Sequence, residues 1–85
     1  MRRIVLAPGF IEDLTWWVKH DRKTALRLLR IVVEILRDPQ AGIGKPEPLK
    51  HPGAGFWSRR LTQRDRVVYR VFDDRIEFIQ GRLHY

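Results

Sequence analysis

Glu47 stands between Pro46 and Pro48 and is the only carboxylate from Pro39 through Arg64, a stretch that also holds Lys45, Lys50, Arg59, Arg60 and Arg64. Proline fixes its own φ and pushes the residue before it toward extended backbone, so this side chain rides on a stiff segment. A carboxylate held that way among cations is a competent base, although the same spacing also describes a structural ion pair. Residues two apart on a strand share a face, so Ser58, Arg60 and Thr62 oppose Trp57, Arg59 and Leu61. Likewise Arg66, Val68, Arg70 and Phe72 oppose Val67, Tyr69 and Val71, which puts Arg66 toward solvent and the second set toward a core. Guanidinium groups meeting across strands can grip phosphate through paired hydrogen bonds; an ordinary solvated sheet face is the plain alternative. His84 precedes the last residue, Tyr85, where a chain commonly frays.

The chemistry open to this set is narrow. The sequence has no phosphate-binding Walker loop, no Gly-x-Ser-x-Gly elbow and no carboxylate cluster suited to two magnesium ions. It has no cysteine, and His20 and His51 lack partners at metal-ligand spacing, so neither metal nor cofactor is expected. Phosphodiester chemistry would have to run without metal. RNA permits that, because its 2′-hydroxyl is an internal nucleophile already beside the scissile phosphorus. A base, an acid and cations suffice.

The elements that must position these residues follow from pattern. Arg3 to Leu6 is a short apolar run stopped by Pro8-Gly9 and reads as a first strand inside the sheet. Phe10, Leu14, Trp17 and Val18 recur at helical spacing and predict a helix from Phe10 to His20. Asp21 is placed to cap a second helix that runs to Asp38 and is stopped by Pro39, with the stripe Ala25, Leu28, Leu29, Val32, Ile35 and Leu36. Leu26, Ile31 and Val33 lie off that stripe; either the first helix covers them or they form a surface for a partner protein or a second copy. Residues 39–46 form a loop. Three extended runs follow, Phe56 to Thr62, Arg66 to Phe72 and Ile76 to Gln80, which make a meander. The order predicts one α+β domain over residues 1–85, with two helices on a mainly antiparallel sheet.

Of the 85 residues, 17 are Lys or Arg and 10 are Asp or Glu, a formal charge of +7. That excess, mostly arginine, attracts polyanions and makes nucleic acid the leading partner class. The apolar run Ile4 to Ala7 is too short for a signal peptide, and Leu26 to Leu36 is interrupted by Arg27, Arg30 and Glu34, so a cytoplasmic protein that spans no membrane is expected.

Lys45-Pro46-Glu47-Pro48-Leu49-Lys50-His51, then Gly55-Phe56-Trp57-Ser58-Arg59-Arg60, Arg66-Val67-Val68-Tyr69 and the ending His84-Tyr85 together resemble the Txe/YoeB family of RelE-like toxins. The resemblance implies the RelE-like microbial ribonuclease fold and the toxin of a type II toxin–antitoxin pair, cutting messenger RNA in the ribosomal A site. It implies that Glu47 is the general base, His84 the general acid and Arg66 the cation that stabilises the phosphate. Lys50, Arg60 and Tyr85 would hold the RNA, with Arg59 as a secondary contact. The implied partners are messenger RNA on the ribosome, an acidic antitoxin, a second copy of the chain, and operator DNA only through the antitoxin complex.

Overall fold

A computed structural model describes residues 2–51 and 53–84, except for the side chain of His84. Its elements run β1 (Arg3–Leu6), α1 (Pro8–His20), α2 (Arg22–Arg37), β2 (Glu47–Pro48), β3 (Phe56–Arg60), β4 (Asp65–Val71) and β5 (Arg75–His84). The sheet order is β1-β5-β4-β3-β2. The pairing of β1 with β5 is parallel and the others are antiparallel, so the expected α+β arrangement with a meander is present.

Both helices pack on one face of the sheet. Phe10 and Trp17 of α1, and Leu28, Ile31 and Ile35 of α2, share a core with Val67 and Tyr69 of β4 and Ile76 and Phe78 of β5. The α2 start is as expected: the Asp21 carboxylate accepts from the Thr24 N–H at 3.2 Å and from its hydroxyl at 2.8 Å. These bonds hold the Asp21 carboxyl below its ordinary pKa, the side-chain bond contributing most.

Three expectations need correction. β1 is an edge strand, not an interior one, and its four residues are exposed. An apolar β-branched run signals a strand, but the long crossover through both helices decides where it docks. On α2, Leu29 is 46% exposed, whereas Ile31, expected off the stripe, is fully buried. Leu26 and Val33 also stay exposed, so α1 does not cover that flank. Finally, β5 runs to His84 rather than ending near Gln80. Gly81, which reads as a breaker, lies within it because a Cβ there would come within 2.9 Å of Leu28 and 3.4 Å of Phe10. A larger residue there would have to displace the Leu28 side chain, so glycine suits the close approach of both helices to this strand.

Candidate active site

The sheet face away from the helices carries the candidate residues in rows set by strand register. Arg60 of β3 lies opposite Arg66 of β4, which lies opposite Leu83 of β5. In the adjoining row Glu47 of β2 faces Ser58, Ser58 faces Val68, and Val68 faces Gln80. Glu47 and Arg66 thus sit on diagonal positions two strands apart. Their side chains approach to 3.7 Å between carboxylate Oε2 and guanidinium Nη1.

The two groups differ in how firmly they are held. The Arg66 side chain is 18% exposed and donates from Nη1 to the Ser58 hydroxyl at 3.1 Å. Ser58 is fully buried. The Glu47 side chain is 53% exposed, leaving its carboxylate accessible to take a proton. Below Arg66, the turn from Leu61 to Asp65 is tied by Leu61 N–H to Asp65 O at 2.9 Å and by the Thr62 hydroxyl to the Asp65 carboxylate at 2.9 Å. The start of β4, and with it Arg66, is therefore fixed by a closed turn.

Lys50 and Arg60 are exposed, as an RNA contact requires. The backbone of His84 pairs with Asp65, one position along β5 from the residue opposite Arg66. His84 therefore rides on a strand end rather than in a frayed tail, while its side chain and all of Tyr85 lie outside the described residues.

Arg59, expected as a secondary RNA contact, lies on the opposite face and is fully buried. Its guanidinium donates to the carbonyls of Asp38 at 2.5 Å, Ala41 at 2.9 Å and Ile43 at 3.2 Å, and to the Tyr69 hydroxyl at 3.1 Å. The Tyr69 hydroxyl in turn donates to Pro39 O at 2.6 Å. Burial pushes the Tyr69 phenol up, with the neighbouring Arg59 opposing the shift. This clamp gathers the loop after α2, and Arg60 N–H binds Gly44 O at 2.6 Å just before Lys45-Pro46-Glu47. Gly44, at φ +84°, has no room for a Cβ, which would lie 2.7 Å from the Arg60 carbonyl. Arg59 thus acts as a strut for the loop that delivers Glu47, and its RNA role is withdrawn. The signal was there in the sequence: Arg59 alternates with Trp57 and Leu61, an apolar set. Ser58 carried no signal of its own, because its role depends on which strands flank it.

The sequence matches the YoeB-like toxin of bacterial type II toxin–antitoxin system over residues 7–85. It is 47% identical to toxin RelK of Mycobacterium tuberculosis over 85 residues, covering all of both chains. Among solved structures, the YoeB dimer from Staphylococcus aureus superposes with a TM-score of 0.90 at 33% identity, covering 99% of this chain and 98% of that one. The heterotetrameric YoeB-YefM toxin-antitoxin complex from the same organism gives 0.86 at 32% identity, covering 100% and 99%. No helix among the described residues is long and apolar enough to cross a membrane. With likeness of this extent in sequence and in fold, the chain belongs to the YoeB-like toxin family of bacterial type II toxin–antitoxin systems.

Proposed function

We propose that the chain is a cytoplasmic endoribonuclease that cuts messenger RNA in the ribosomal A site without a metal ion. The observation that carries this reading is the Glu47–Arg66 pair, braced by buried Ser58, on the open face of the sheet. Glu47 takes the proton of a ribose 2′-hydroxyl, and the freed oxygen attacks the adjacent phosphorus. The bond to the 5′-oxygen of the next nucleotide breaks, and that oxygen collects a proton from His84. The products are a 2′,3′-cyclic phosphate and a 5′-hydroxyl. Arg66 faces the charge that grows on the phosphate, where a preorganised cation is worth most. Lys50, Arg60 and Tyr85 hold the RNA. Free imidazole, with a pKa of about 6.5, is the side chain chemically suited to such a proton transfer, a contribution of about 10²- to 10⁴-fold.

The same reading assigns an acidic antitoxin as the cognate partner, its carboxylates meeting the basic face. The exposed stripe Leu26, Leu29 and Val33 on α2 suits that partner or a second copy, in keeping with the dimer and the YefM complex of the Staphylococcus aureus relative. Operator DNA would be met only through the antitoxin complex.

Primer extension on a defined message in a purified translation reaction tests the proposal. The wild type should cut at the A-site codon, and Glu47→Ala, Arg66→Ala and His84→Ala should each lose at least about 10²-fold. A ribosome-free lane should stay intact. Full activity in all three variants would end the assignment, and intact RNA with the wild type still bound to ribosomes would favour a binding module instead.

A further inference from the structure

On the same sheet face, beside Arg66, lies a cleft of about 330 Å³ lined by Leu49, His51, Phe56, Val68, Gln80 and Leu83, with Ile79 completing its wall. That volume falls at the low end of ordinary small-molecule sites, roughly 300–1,000 Å³. Its position follows from register. Leu83 lies directly opposite Arg66, and Val68 lies directly opposite both Ser58 and Gln80. Neighbouring strands are about 4.8 Å apart, so the cleft begins one strand from the guanidinium. A phosphate held at Arg66 would place an attached nucleoside within reach of it.

Gln80 is aimed here by irregular backbone. Two steps of β4, from Arg66 to Val68, are matched by three steps of β5, from Leu83 to Gln80, and the single step from Val68 to Tyr69 is matched by two, from Gln80 to Phe78. Gln80 therefore stands between two bulges, which is how sheets re-aim a side chain. Helix α1 holds the distortion in place. The Asp13 carboxylate accepts the Gly81 N–H at 2.9 Å, and the Trp17 indole donates to the Gly81 carbonyl at 2.9 Å. Gln80 itself is exposed, and its carboxamide makes no hydrogen bond with the described side chains.

We propose that this cleft receives an unstacked base of the substrate RNA and that Gln80 reads it. The inference rests on the ribonuclease reading above. Apolar walls and the Phe56 ring, which Arg70 covers at 4.8 Å, suit the faces of a base, as aromatic platforms do in single-strand recognition. A carboxamide presents a donor and an acceptor side by side, and adenine offers the complementary pair that glutamine most commonly meets. An apolar peptide segment would use the walls but leave the bulged glutamine without a task.

The test compares cleavage across a set of messages that differ only in the A-site codon, using wild type, Gln80→Ala and Gln80→Glu. The wild type should rank codons by the base at one position. Gln80→Ala should flatten that ranking by about tenfold or more, the scale of one good base contact, mainly by slowing cleavage of the preferred codon. Gln80→Glu, with two acceptors and no donor, should change the preferred base rather than merely weaken cutting. Cleavage with an unchanged ranking in both variants would overturn this inference alone. The same would follow if the ranking held and only binding of an acidic antitoxin weakened, which would make the cleft a protein groove. A message left uncut by the wild type would overturn the ribonuclease reading and this one with it.

Discussion

Arg59 and Arg66 occupy neighbouring strands of one sheet, yet they meet opposite environments. Arg66 lies on the open face, where it donates to the Ser58 hydroxyl and lies 3.7 Å from the half-exposed Glu47 carboxylate. Arg59 lies on the helix side with no exposed surface, its nitrogens spent on three carbonyls and a phenol. A guanidinium surrounded by fixed carbonyls stabilises a loop, because hydrogen bonds from one buried charge tie residues 38–43 to the sheet. A guanidinium on the outer face, beside an exposed carboxylate, is placed to meet an incoming phosphate. Side-chain type alone says little about role; the face on which the strand presents it decides.

The comparison breaks most visibly in activity and stability measured side by side. Arg66→Met should lower cleavage by about 10²-fold or more while costing less stability than Arg59→Met, about 1.5–3 kcal/mol for the lost charged hydrogen bond to Ser58. Arg59→Met should do the reverse first: leaving three loop carbonyls without their donor should cost about 3 kcal/mol or more, a fall in Tm of roughly 10–20 °C for a domain of this size. Paired thermal melts and cleavage rates would show the crossover. Equal melting temperatures for the two variants would mean that the faces are not functionally distinct.

A smaller effect sharpens the picture on the open face. Ser58→Ala removes the acceptor that orients Arg66, and a hydrogen bond to a charged group is worth about 1.5–3 kcal/mol, so the rate should fall about tenfold or more. The loss should appear in kcat rather than KM, because Arg66 would still be present but poorly aimed. A change confined to KM would show that Ser58 contributes to binding only.

The smallest effect concerns the buried face at alkaline pH. Burial raises the Tyr69 phenol above its ordinary value of 10.0. The unfolded chain therefore ionises first as pH climbs past about 10, and the stability present below that pH is lost as pH rises through the folded value. Urea midpoints at neutral pH and between about pH 10 and 11 should show this alkaline loss in the wild type. Tyr69→Phe should lack that part of it and be about 1 kcal/mol less stable at neutral pH, having lost the bridge between Arg59 and Pro39.

Much of this was legible without coordinates. Asp21 and Pro39 bound α2 because a cap and a missing N–H act within one turn of helix, and the meander followed from alternation interrupted at Asp73-Asp74. Type and spacing drew Glu47 and Arg66 out as candidates but left an ion pair and a solvated face open, their roles coming from the family resemblance, while Pro46 and Pro48 stiffen the backbone whatever surrounds it. These are local effects, decided by residues a few positions apart. The tertiary structure decided the rest. It placed β1 at an edge, extended β5 through Gly81 to His84, and buried Ile31 in place of Leu29. It brought the carbonyls of residues 38–43 onto Arg59, set Ser58 between Glu47 and Arg66, and turned Gln80 toward the cleft between two bulges. Each depends on partners far away in the chain, and alternation can name the two faces of a strand but not which of them the helices will cover.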